Sequence, residues 1–143
     1  MKVKQISIFL ENKKGRLLEA LKVLGREKVN IRALSIADTN DFGILRLIVA
    51  DPEKAKVVLE QDGFTVKESD VIAIVVTDEP GGLANVLSVL NKAEINVEYI
   101  YAFADKQEAD AVVVLRTENI DEGVKTLKKA GVKMLSPKEI YNL

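Results

Sequence analysis

The chain has 143 residues, 48% of them apolar and 30% charged, with 22 acidic side chains against 21 basic ones and a net charge of −1. That length holds one ordinary domain or two small ones, and that balance leaves no broad basic field for nucleic acid. There is no Cys and no His, which excludes disulfides, thiolate metal sites and a cysteine nucleophile, and removes the commonest general base and the usual metal ligand.

Val3–Leu10 alternates, with Ile6, Ile8 and Leu10 on one face and Gln5 and Ser7 on the other, which predicts a half-buried strand. This apolar run meets Glu11 and Lys13 too soon for a signal peptide. No run in the chain approaches the roughly 20 apolar residues that span a bilayer, so no membrane partner and residence in the cytoplasm are the expectations. Glu11–Gly15 is a polar turn. Arg16–Gly25 places Leu17, Ala20, Leu21 and Leu24 on one helical face, with Gly25 as its C-terminal stop. Val29–Ala37 reads as a second strand, and Asp38-Thr39-Asn40-Asp41 has turn chemistry. Ile44–Val49 reads as a central strand, apolar on both faces apart from Arg46. Asp51-Pro52 opens a second helix as N-cap and first helical residue, Ala55, Val58 and Leu59 form its stripe, and Gly63 ends it. Phe64–Lys67 is a short fourth strand.

The same order then recurs. Shifting the chain by 66 residues lays Ile6 on Ile72, Gly15 on Gly81, Leu17 on Leu83, Leu21 on Leu87, Leu24 on Leu90 and Asn30 on Asn96. Further on, a shift of 68 lays Asp51 on Asn119, Leu59 on Leu127 and Gly63 on Gly131. The second set of elements is Val71–Thr77, Leu83–Leu90, Ile95–Ala104, Asp110–Arg116, Ile120–Lys129 and Val132–Met134, followed by a capped turn at Ser136–Tyr141. We therefore expect two βαββαβ units, residues 1–68 and 69–143, joined near Glu68-Ser69-Asp70. Each is an α+β, split-βαβ or ferredoxin-like unit: an antiparallel sheet with both helices on one face. Val71–Val76 and Ala111–Leu115 are apolar on both faces, so the second sheet face is expected to be covered as well.

The turn Thr77-Asp78-Glu79-Pro80-Gly81-Gly82-Leu83 stands out, with its counterpart Glu11-Asn12-Lys13-Lys14-Gly15-Arg16-Leu17. Doubled βαββαβ units with an Asp-x-Pro-Gly-x-Leu turn after the first strand resemble the ACT domain. The second copy carries the pattern through Asp78, Pro80, Gly81 and Leu83, then Glu94-Ile95-Asn96-Val97. The first departs from it, with Asn12 for the Asp and Lys14 for the Pro, but keeps Gly15, Leu17 and Lys28-Val29-Asn30-Ile31. The whole chain is similar to stand-alone tandem ACT proteins without a catalytic domain. The resemblance implies a non-catalytic regulator without cofactor or metal. It implies a free amino acid bound where units meet, units paired into an extended sheet, a homodimer, and a metabolic enzyme as the regulated partner. The ligand-binding residues it implies are Asn12, Gly15, Arg16, Leu17, Asn30 and Ile31 in the first copy. In the second they are Asp78, Pro80, Gly81, Gly82, Leu83, Asn96 and Val97.

The chemistry suits a zwitterion. A glycine turn opening a helix offers unpaired N–H groups to a carboxylate, and Asp78 or Asn12 offers an acceptor to an α-ammonium group. Each residue also has a plainer reading: Asp78 as helix N-cap, Pro80 as a first-turn residue, Gly15 and Gly81 as turn formers, Asn30 and Asn96 as left-handed or turn residues. Lys13, Lys14 and Arg16 read as a solvated rim, and Asp105, Glu108 and Asp110 as surface charge flanking a hairpin. Two other functions compete. One is the small subunit of an acetolactate-synthase-type enzyme. The other is a small acylphosphatase-like enzyme using Arg16 with Asn40, although the glycine loop does not have that form. Tyr99, Tyr101 and Phe103 alternate on the second strand of their unit rather than on central strands, which argues against RNA binding. They are expected to pack at an interface or against a ligand.

Overall fold

The computed structural model describes residues 1–38, 41–103 and 110–142; Thr39, Asn40, Ala104, Asp105 and Glu108 lie outside the described residues. The chain divides into two compact units, one of Lys4–Ser69 and one of Asp70–Tyr141 with Met1–Val3. The elements are β1 (Val3–Glu11), α1 (Arg16–Arg26), β2 (Ile31–Asp38), β3 (Phe42–Val49), α2 (Pro52–Gln61), β4 (Thr65–Thr77), α3 (Gly82–Lys92), β5 (Val97–Ala102), β6 (Asp110–Thr117), α4 (Ile120–Lys129) and α5 (Pro137–Tyr141).

In the first unit the strands run in the order β2-β3-β1-β4. The antiparallel register sets Ile6 opposite Leu47 and Ile8 opposite Leu45, so these side chains share one face. That face and the helices close a core of Ile6, Ile8, Leu24, Leu45, Leu47, Leu59 and their neighbours. Fully burying each such side chain contributes roughly 1.5–3 kcal/mol. The other face of β1 is not left to water: Gln5 is wholly buried and Ser7 nearly so. Burying the Gln5 amide is tolerable because its Nε2 donates to Ser7 Oγ and Ser69 Oγ, both at 3.3 Å. The alternation therefore marks two buried faces of different polarity rather than a half-buried strand.

The second unit repeats this plan with β4-β6-β5. Its core gathers Ile72, Ile74, Leu90, Val113, Leu115 and Leu127. Val71, Ala73, Val112 and Val114, on the opposite faces of β4 and β6, are buried too. Where a fourth strand was expected at Val132–Met134, only an isolated antiparallel bridge of Met134 to Ile74 forms. Backbone bonds from Val75 N to Lys133 O and from Leu135 N to Ala73 O, each 2.9 Å, hold it.

The two copies agree to the level of single hydrogen bonds. Asp51 Oδ1 accepts from Lys54 N at 3.2 Å, and Asn119 Oδ1 from Glu122 N at 3.1 Å, so each second helix has its side-chain cap. All four long helices end alike. The amides of Val29, Phe64, Ile95 and Val132 reach back to the carbonyls of Leu24, Leu59, Leu90 and Leu127 at 2.9–3.0 Å. This closure needs a left-handed residue just before the apolar one. Gly63 and Gly131 supply it after α2 and α4, but Lys28 (φ 60°) and Glu94 (φ 57°) supply it after α1 and α3. Gly25 is thus not the stop of α1, which runs through it to Arg26. The units divide between Ser69 and Asp70 within Thr65–Thr77, which is one continuous strand rather than a strand followed by a linker.

Two consequences are measurable. A Cβ at Gly123 in α4 would lie 2.5 Å from Thr117 Oγ1 and 3.1 Å from Ile72 Cδ1. Ala is the better helix former by about 1 kcal/mol, but overpacking costs about 1–3 kcal/mol and wins. Gly123→Ala should therefore lower the urea midpoint with an unchanged m-value. At α5, Ser136 Oγ accepts from Glu139 N while Glu139 Oε1 accepts from Ser136 N, both at 3.2 Å. Donation to the Glu139 carboxyl from the Ser136 backbone amide, and next from its hydroxyl, holds that carboxyl below its ordinary pKa. The shift is downward, so the stabilisation is present above the ordinary carboxylate pKa and is lost as pH falls through the depressed one. Ser136→Ala should raise the Glu139 pKa in an NMR titration.

Candidate functional site

Gly81 has φ 84° and Gly15 φ 87°. In each turn the same bonds recur. Glu79 N donates to Thr77 O (2.9 Å), Gly82 N to Glu79 O (3.0 Å) and Asn85 N to Gly81 O (3.0 Å). In the first copy these become Lys13 N to Glu11 O (2.8 Å), Arg16 N to Lys13 O (3.3 Å) and Glu19 N to Gly15 O (3.0 Å). Gly81 and Gly15 are themselves the N-caps of α3 and α1, so the residue at each cap position contributes no side-chain bond. Of the first-turn amides, those of Gly82 and Asn85 in α3 and of Arg16 and Glu19 in α1 are thus bonded to the backbone of the turn. Asp78 is therefore not the N-cap residue of α3, and Pro80 lies in the turn before the helix rather than in its first turn. Asn12, Asp78 and Pro80 are exposed, and Leu17 and Leu83 are exposed to the same degree.

The neighbouring glycines differ in kind. A Cβ on Gly81 or Gly15 would meet nothing, so glycine is required there by the positive φ. A Cβ on Gly82 would overlap the Thr77 carbonyl oxygen. The bare Cα at Gly82 thus serves the chain's own backbone rather than close approach of a ligand.

At the position equivalent to Gly82 the first copy has Arg16. Its Nη1 binds Glu19 Oε2 at 2.8 Å and its guanidinium lies 4.1 Å from the centre of the Phe64 ring. Its side chain is 19% exposed, so Arg16 is no part of a solvated rim, unlike Lys13 in its exposed pair with Glu11. Nor is a guanidinium so engaged presented as a phosphate cradle, and Asn40, its suggested companion, lies outside the described residues. The same holds for Asp105 and Glu108; among the described residues no group of three or more acidic, His or Cys side chains is arranged for a metal.

The expected site residues do not gather at one place within a unit. Thr77 pairs with Asp110 at one end of β6 and Val97 with Thr117 at the other. At about 3.4 Å per residue, those ends are roughly 24 Å apart. Asp78, Pro80, Gly81, Gly82 and Leu83 thus sit at the turn end, and Asn96 and Val97 at the far end. In the first unit Glu11 pairs with Phe42 and Ile31 with Val49, which separates Asn12, Gly15, Arg16 and Leu17 from Asn30 and Ile31 in the same way. The Asn30 and Asn96 carbonyls accept from Ala50 N (2.9 Å) and Glu118 N (3.1 Å). Neither residue is left-handed; that role falls to Lys28 and Glu94, two positions earlier. Tyr99 and Tyr101, in register with Arg116 and Val114, are half-buried.

The far end of the second unit holds a groove of about 480 Å³. The α3 helix contributes Ala84, Leu87, Ser88 and Asn91, and the entry to β5 contributes Ile95, Asn96 and Val97. Asn96 and Val97 were singled out from the sequence; Ala84 and Ser88 were not, although two small residues four apart on a helix are a visible signal. A second groove, of about 380 Å³, lies on the other side of Ile95 and is charged, with Glu122, Lys125 and Lys129 in its wall. No helix among the described residues is long and apolar enough to cross a membrane.

A family model described as an ACT domain pair matches residues 1–143. The crystal structure of protein BT0572 from Bacteroides thetaiotaomicron is 45% identical, covers 100% of this chain and 98% of its own, and superposes with a TM-score of 0.94. The ligand-free regulatory subunit of aspartate kinase from Thermus thermophilus matches at 14% identity and TM-score 0.64, over 89% of this chain and 91% of its own. Aspartate kinase from Clostridium acetobutylicum matches at 18% identity and TM-score 0.52, over 90% of this chain but 33% of its own. No curated protein matches.

The two kinds of glycine can be separated experimentally. Gly81→Ala carries only the left-handed penalty, about 1–2 kcal/mol. Gly82→Ala carries no left-handed penalty but must displace the Thr77 carbonyl, and should destabilise more, read as a larger drop in urea midpoint. Gly81→Asn should be milder than Gly81→Ala. Gly81→Val, a β-branched residue at positive φ, combines strain with any loss of binding and is a poor probe of the site.

Proposed function

The chain belongs to the ACT domain pair family, and on that footing we propose that it is a non-catalytic regulatory protein that binds a free amino acid and thereby controls an enzyme of amino-acid metabolism. The observation that carries this reading is the helix start behind a left-handed glycine, formed in the same way at Gly15 and Gly81. Its amides and the positive end of the helix dipole suit a carboxylate, and the exposed Asp78 nearby suits an ammonium group.

Asn96 lies too far from Asp78 for one small ligand to touch both in one unit. Pairing of sheet edges would bring the two together. β5 is an edge strand with Ile100 exposed, and β2 is an edge strand with Leu34 and Ile36 exposed. Such apolar edges call for a partner. Antiparallel pairing of an edge with that of a second copy lays the asparagine end of one strand beside the turn end of the other. A homodimer therefore completes a site that a single unit leaves in two halves. The fold shared with an aspartate kinase regulatory subunit supports regulation over catalysis.

A thermal-shift screen against the standard amino acids tests the reading. A ligand at 100 times its Kd stabilises by about 2.7 kcal/mol. Asn96→Ala should then weaken binding of the active amino acid about tenfold, equivalent to about 1.4 kcal/mol. No shift with any amino acid would overturn the proposal, and stable co-purification with a large catalytic chain would favour the dedicated small-subunit role.

A further inference from the structure

We propose that the groove beside α3 receives the side chain of the ligand and that it selects an uncharged, apolar amino acid. This rests on the amino-acid reading above and adds the ligand's chemical class and the residues that set it.

At about 480 Å³ the groove falls within the range of small-molecule pockets, roughly 300–1,000 Å³. Its floor is made of Leu87, Leu90, Ile95 and Val97, and only Leu90 is fully buried. The others are half-buried apolar surface that a hydrocarbon side chain would remove from water. No residue lining the groove carries a charge. A charged side chain placed there would find no ion-pair partner in the wall. The polar groups stand where they orient rather than neutralise. Ser88 Oγ already donates to Ala84 O at 2.9 Å. The exposed Asn96 amide lies beside the floor, at the end of the unit that edge pairing would carry to the turn of another copy. The groove on the other side of Ile95 shows the contrast: Glu122, Lys125 and Lys129 make it a poor host for hydrocarbon.

The first unit differs at this surface. Its residues equivalent to Ala84 and Ser88, 66 positions earlier, are Leu18 and Lys22. A larger side chain and a cation thus stand where the second unit has a methyl and a hydroxymethyl. The two copies share a backbone plan but not this surface, so the second unit is assigned the apolar ligand.

The test uses the full chain and isothermal titration with L-leucine, L-isoleucine, L-valine, L-methionine and L-phenylalanine, against L-aspartate, L-glutamate, L-lysine and L-arginine. At least one of the first group should bind and none of the second. Ala84→Leu with Ser88→Lys, which installs the first unit's residues at exposed helical positions, should weaken that binding at least tenfold. Ser88→Asp alone should weaken it as well. The reciprocal Leu18→Ala with Lys22→Ser should leave it unchanged. Binding confined to a charged amino acid, or affinity unaltered by the Ala84 and Ser88 substitutions, overturns this inference while the amino-acid reading stands. Silence from every amino acid overturns both.

Discussion

Each unit depends on one backbone constraint: the chain leaving its first strand must reverse and lay a helix back over the same sheet within four residues, Asn12–Gly15 or Asp78–Gly81. Only a left-handed residue makes that reversal so short, and glycine enters that region without steric cost. The consequence spreads outward. With the turn set, α1 and α3 project Leu24 and Leu90 onto their sheets, and the central strands can then be apolar on the covered face. The constraint also fixes the residue at the cap position as one without a side chain, so the start of each helix is closed by the backbone bonds of its own turn.

At the other end of the same helices the chain makes the opposite choice. Lys28 and Glu94 occupy left-handed conformations that glycine would occupy more easily, costing roughly 1–2 kcal/mol each. The closure is still favourable because the next residue, Val29 or Ile95, enters or flanks the apolar core. Packing outweighs local strain at these positions, whereas at Gly63 and Gly131 both agree.

Much of this was legible in the sequence because it rests on local, repeated chemistry. The offset copies, the order of elements and the cap at Asp51 all follow from residue type and spacing. What escaped reading was settled by tertiary context. Gly25 looks like a helix stop, yet the decisive signal is the apolar Val29 after Lys28. Glu68-Ser69-Asp70 lies where the two units divide, yet its strand continues through it because an extended strand can carry polar side chains without breaking. The site suffered most. Asp78 and Asn96 sit on successive elements, and proximity in sequence hides that a helix and its return carry them to opposite ends of a sheet. Periodicity tells which face a residue occupies but not which ends meet.

The register shifts near the start of both edge strands, between Ile31 and Ala33 in β2 and between Val97 and Tyr99 in β5, have a consequence for solubility. An apolar edge with open amides is the raw material for sheet-to-sheet polymerisation. A bulge kinks and twists the strand at its entry and leaves only a short regular run to accept another strand. The edge can then anneal with a partner of matching curvature, while a long flat strand, the kind that propagates fibres, finds no continuous template.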